Sequence, residues 1–134
     1  AFLGEVRNNL GLDPKLRELG MCGVAILNCA EYEFIHHAPV FLSAGGTEEQ
    51  VKAMRQIGSS PMPAGLFSQL EEDAIELTIQ MTRSIEVDSA LMKRLQSALG
   101  NSHLVELVGV IATYNMVARF LTALQITPEG EERH

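Results

Sequence analysis

The chain has 134 residues, a formal net charge of −7, 46% apolar residues and 20% charged residues. That length suits one domain over residues 1–134, with roughly two-thirds of the unfolded surface available for burial, and the composition excludes a disordered chain. Lys and Arg form no basic cluster, and an acidic surface repels phosphate and anionic lipid, so neither nucleic acid nor a membrane is expected as a partner.

Trp is absent and aromatics are 5%, so the core must be built from aliphatic side chains. The longest apolar stretch, 104–124, is interrupted by Glu106, Asn115 and Arg119 and makes a poor membrane span. The chain begins at Ala1 without Met and without a signal pattern. It reads as a processed or trimmed product, with N-terminal residues missing. Cys22 and Cys29, if carried on one continuous helix, would lie roughly 10 Å apart, too far for a disulfide. A reducing cytoplasm is the expected compartment.

No useful strand alternation occurs, and helix punctuation is frequent, so the fold class is all-α with about six helices. Asp13 and Pro14 read as the N-cap and first position of a helix running to about Leu27. A second helix starts near Glu31, is expected to kink at Pro39, and stops at Gly45 and Gly46. Thr47 and Gln50 form a capping box for a short third helix that ends by Gly58. Residues 58–65, "GSSPMPAG", are a loop, either a plain connector or a hinge between two halves. Apolar residues then recur at helical spacing from Phe67 to Ile85. Asp88 caps a fifth helix ending at Gly100, and the sixth runs from about Ser102 to Leu124, with a fraying tail beyond Pro128. This last helix is apolar almost all round, which predicts burial on most sides and hence packing between subunits.

The chemistry concentrates in "NCAEYEFIHH", residues 28–37. On a helix Glu33 and His37 are four apart and share a stripe, where the carboxylate can orient the ring and raise its pKa. The same spacing also occurs on ordinary solvated faces. If the chain turns back between Leu27 and Ala30, the two helices form a hairpin and Glu18 can face Glu33 or His37. Two carboxylates and an imidazole brought together make an acid–base set. A metal site would need His103 to join Glu33 and His37, because His36 and His37 diverge on a helix and no HExxH or paired CxxC pattern occurs. Cys29, near a helix start, is a candidate nucleophile, but no second cysteine lies three residues away to resolve a sulfenic acid. Small buried filler is the plainer reading for both cysteines. Asn115 and Arg119 share a stripe of the last helix, and with Glu106 and Tyr114 they read as structural polar groups that must be paired.

Residues 16–55, "LRELGMCGVAILNCAEYEFIHHAPVFLSAGGTEEQVKAMR", resemble the carboxymuconolactone decarboxylase family, also called alkylhydroperoxidase D-like. The shared features are a glutamate in an RE(L/R) start, a polar or cysteine-bearing turn, E/C-x-x-x-H, then a glycine and a short (T/S)-x-E-x-(I/V) helix. Here they fall on Glu18, residues 29–33, His37, Gly45 or Gly46, and "TEEQV". Residues 103–129 resemble the closing helix of the Y-E-W-x-H-H subgroup. The peroxidase members carry CxxC where this chain has Ala30 and Glu33, so the chain resembles a subgroup without the dithiol.

The resemblance implies a small helical domain with the active centre on a helical hairpin. Its decarboxylase members imply a cofactor-free acid–base enzyme, decarboxylase- or isomerase-like, acting on a small organic acid or lactone. His37 would carry the proton, Glu18 and Glu33 would tune or share it, and Tyr32, His36 and Cys29 would line the pocket. Two other expectations stand beside it: a hydroperoxidase using Cys29 with an external thiol, and a non-catalytic oligomeric binding protein. A small-molecule substrate and a homo-oligomer, dimer, trimer or hexamer, are the expected partners.

Overall fold

The structure, a computed structural model, describes residues 11–126. Within them the chain is helical, with no strand: α1 Pro14–Leu27, α2 Glu31–Ser43, α3 Glu48–Met54, α4 Gln69–Arg83 and α5 Ser89–Ala123. The expected tail beyond Pro128 lies outside the described residues.

Local chemistry sets most of the helix ends. The Asp13 side chain accepts a hydrogen bond from the Lys15 backbone N–H at 3.1 Å, and Pro14 opens α1. Thr47 with Gln50 and Ser68 with Glu71 close reciprocal capping boxes on α3 and α4. Asp88 caps α5 through the Leu91 N–H. Gly45 ends the second helix at φ 108°, a conformation that favours glycine, and a Cβ on Gly46 would meet the Phe41 ring within 2.2 Å.

One expectation changes, at Ile85. Pro39 falls inside the second helix as expected, and helical backbone continues through it. Pro39 and Ile35, whose carbonyl loses its partner, both lie on the exposed face of α2, where water can take the unpaired group. Ile85 lies beyond the end of α4 and is 96% exposed rather than part of its buried stripe. Non-helical backbone at Gly100 (φ 80°, ψ 165°) divides α5 into two helical segments, as expected for a fifth helix that ends there and a sixth that follows.

α1 is the central element and packs against α2, α4 and α5, while α4 packs against α5. Gly23 allows a close approach of α1 to α4: a Cβ there would lie 3.0 Å from Thr78 and 3.1 Å from Ile57. Leu19, Met21 and Val24 of α1 join Leu77, Leu107, Val110 and Ile111 in one aliphatic core. Each fully buried side chain of this kind contributes about 1.5–3 kcal/mol from burial alone. α5 is long and apolar enough to cross a bilayer by length and composition, but it is broken at Gly100 and one face is the wall of this core. Its other face is open, with Val105, Met116 and Phe120 more than half exposed, so within one protomer it is not covered on most sides as its composition suggested.

The two arms of the α1–α2 hairpin are joined by Asn28, Cys29 and Ala30. Cys29 takes a left-handed conformation, φ 57°, which lets the Ala30 N–H reach back to the Ala25 carbonyl at 2.8 Å. Only three residues separate the helices, so α2 must fold directly back along α1. That reversal brings together groups nineteen residues apart.

Candidate active site

Glu18 lies on the face of α1 that α2 covers and is only 2% exposed. Its Oε1 sits 2.7 Å from Nδ1 of His37, and its Oε2 accepts a hydrogen bond from Nε of Arg17 at 3.0 Å. Glu33, one turn before His37 on α2, places Oε2 3.5 Å from the other ring nitrogen, Nε2. His37 is therefore held between two carboxylates, one on each ring nitrogen. Tyr114 of α5 closes a further side, its ring edge-on to the imidazole at 5.3 Å and 89°.

This geometry assigns the protons. An ionised carboxylate only accepts, so Nδ1 facing Glu18 at 2.7 Å carries a hydrogen. The exchangeable site is then Nε2, on the side of Glu33, which is the less buried of the two carboxylates. Burial by itself pulls the His37 pKa down. The hydrogen bonds that the ring donates to Glu18 and Glu33, together with the carboxylate charges, outweigh it and raise the pKa to about 9. At neutral pH this favours the protonated ring.

The hairpin thus brings Glu18, Glu33 and His37 together. The remaining sequence candidates sit elsewhere on it. His36 points about 100° away from His37 around α2 and is exposed. Its Nε2 pairs with the Tyr32 hydroxyl at 2.9 Å, so these two form a surface pair. Cys29 sits on the turn just before α2, near a helix start as expected, and is exposed rather than buried filler. Cys22, one turn after Glu18, is buried; burial and the Glu18 charge push its thiol up to about 12, so it stays protonated. His103 lies 4.0 Å from Glu106 and eleven residues before Tyr114, roughly 16 Å along α5 from the site. It does not join Glu33 and His37. Among the described residues no group of three or more His, Cys, Asp or Glu side chains is placed to hold a metal ion.

Sequence reasoning missed Tyr114 as a member of the site. Its only signal was a polar tip interrupting an apolar helix, and its contact with His37 spans 77 positions that no local pattern connects.

Fold and site define, among the described residues, an all-helical protein with a carboxylate–imidazole–carboxylate cluster on a short hairpin. Residues 1–61 match the family described as "CMD: Carboxymuconolactone decarboxylase family". The resemblance to that family is thus shown for the part of the chain that carries Glu18, Glu33 and His37. Comparison with curated proteins and with solved structures gave no significant match.

Proposed function

We propose that the chain is a one-domain, cofactor-free acid–base enzyme, decarboxylase- or isomerase-like, acting on a small organic acid or lactone. The observation that carries this reading is the His37 ring between Glu18 and Glu33. Glu18 fixes the tautomer and balances the imidazolium charge. Nε2 delivers its proton to carbon, and Glu33 relays a replacement proton from solvent. In a decarboxylation the substrate carboxylate leaves as carbon dioxide. The electron pair of the broken bond enters the conjugated system, and the Nε2 proton ends on the carbanionic carbon. In an isomerisation Glu33 removes one proton and Nε2 supplies another. Neither route consumes an oxidant or a reductant. General acid–base catalysis of this kind contributes about 10²–10⁴-fold.

The second reading is a hydroperoxidase using Cys29 with an external thiol, favoured by the exposure of that cysteine on the turn. Cys29 precedes α2 in the turn, eight positions before His37. The first experiment is hydroperoxide consumption with an external dithiol by the parent, Cys29→Ser and His37→Ala. Turnover by the parent that is lost in Cys29→Ser sinks the acid–base reading. If none consumes peroxide, a panel of lactones and small carboxylic acids follows, and turnover found there must vanish in His37→Ala.

Self-association is part of the same proposal. Val105, Ala112, Met116 and Phe120 form one exposed stripe on α5, and Gly109 within it faces open space. A second copy of this chain, with the same stripe, is the occupant we propose.

A further inference from the structure

The strongest feature outside the relay is a buried amide. Asn115 of α5 is 6% exposed, and every polar valence of its side chain is used. Oδ1 accepts from Nδ2 of Asn28 at 2.9 Å and from Nη1 of Arg119 at 2.9 Å. Nδ2 donates to the Thr82 hydroxyl at 3.0 Å and to the Ile111 carbonyl at 3.1 Å. The orientation cannot be reversed. A guanidinium only donates and a carbonyl only accepts, so the oxygen must face Arg119 and the nitrogen must face Ile111. One side chain therefore joins the end of α4, the body of α5 and the α1–α2 turn in a single geometry.

Asn28 is the residue that ends α1, and its own N–H still bonds to the Val24 carbonyl at 3.0 Å. The next residue, Cys29, holds the left-handed conformation that reverses the chain. Fixing Asn28 fixes where that reversal starts. Glu18 lies ten residues before it, nearly three helical turns, and His37 nine residues after it, one on each arm, so the turn sets their register. A slip of one residue would rotate His37 by about 100° and take Nδ1 away from Glu18. Tyr114, the neighbour of Asn115, meanwhile lies against the His37 ring. Two consecutive residues of α5 thus hold the turn and the ring.

We infer that Asn115 is a positioning residue for the Glu18–His37 pair, acting through its hydrogen bond to Asn28 at the hairpin turn. The inference rests on the reading of that pair as the proton relay, yet it can be tested without any substrate. The groups that face the His37 ring are Glu18 from α1, Glu33 from α2 and Tyr114 from α5. Displacing α2 along α1 must change the first of these contacts.

The test is an NMR titration of the His37 imidazole in the full chain, with the signal assigned by its loss in His37→Gln. Melting temperature is recorded on the same samples. Asn115→Leu removes the whole hub. Asn28→Ala removes only the arm to the turn and keeps the fold testable if the first variant does not fold. Thr82→Val removes the arm to α4 as a control. The expected result is a His37 acid dissociation constant at least tenfold larger in Asn28→Ala than in the parent, with Thr82→Val titrating like the parent whatever its melting temperature. A purely structural role would lower the melting temperature of Asn28→Ala and leave the titration in place, and that outcome overturns the inference. If the parent His37 itself titrates at an ordinary histidine value, the relay fails first and the inference goes with it.

Discussion

Glu18 Oε1 and His37 Nδ1 meet at 2.7 Å across the hairpin, both buried, while the second oxygen of Glu18 is held by Arg17. The carboxylate is thus anchored before any ligand arrives. Glu18→Gln keeps the shape but removes the charge. The His37 titration should fall from about 9 by more than one unit. Turnover should drop by about 10²-fold or more, within the usual range for disrupting acid–base catalysis. An unchanged titration would show that Glu18 does not hold the imidazolium.

The pH dependence of stability follows from the same pair. The folded His37 pKa, about 9, is above its ordinary value of 6.5. The folded state therefore binds the extra proton more tightly. The resulting stabilisation is fully present below pH 6.5 and is lost as the pH rises through 9. Its size is on the order of 3 kcal/mol. Urea denaturation of the parent should show stability falling between those pH values. His37→Gln should be flat there; an equal slope in both proteins would assign the loss to another group.

The two thiols should behave differently. Cys22 is buried and its thiol is pushed up to about 12, whereas Cys29 is exposed. A chromogenic disulfide reagent at pH 8 should label one cysteine quickly in the native protein and the second only in denaturant. Cys29→Ser should abolish the fast phase and, under the acid–base reading, leave lactone or acid turnover intact.

The end of α2 offers a packing test. Gly46→Ala would drive a Cβ to within 2.2 Å of the buried Phe41 ring. The expected cost is about 1–3 kcal/mol from overpacking, read from thermal or urea unfolding. Gly45→Ala meets no atom within 4 Å and pays only for its backbone conformation at φ 108°.

The α5 stripe makes a prediction about assembly. Phe120→Glu places a charge on a side chain that is 62% exposed in the protomer, so a lone chain should tolerate it. In an assembly built on this face it should shift the mass seen by light scattering toward the protomer. A parent already at the protomer mass would remove the proposed interface.

The sequence by itself determined the helical class and most helix limits. Those limits depend on contacts a few residues apart: Asp13 with Lys15, Thr47 with Gln50, Asp88 with Leu91, and the backbone freedom of Gly45 and Gly100. It also determined the Glu33–His37 stripe, because helical periodicity places positions four apart on one face. Where competing forces act over long distances, tertiary structure decided. Glu18 looks like an ordinary solvated glutamate in "KLRELG", and it is buried only because α2 covers α1. Ile85 fits the helical period, yet α4 ends at Arg83 and leaves it in solvent. Helical periodicity makes His36 and His37 diverge, but packing decides which of them is buried. Tyr114 reaches the His37 ring and Asn115 the hairpin turn only through the three-dimensional packing of α5, because side-chain contacts between distant positions leave no periodicity in the chain.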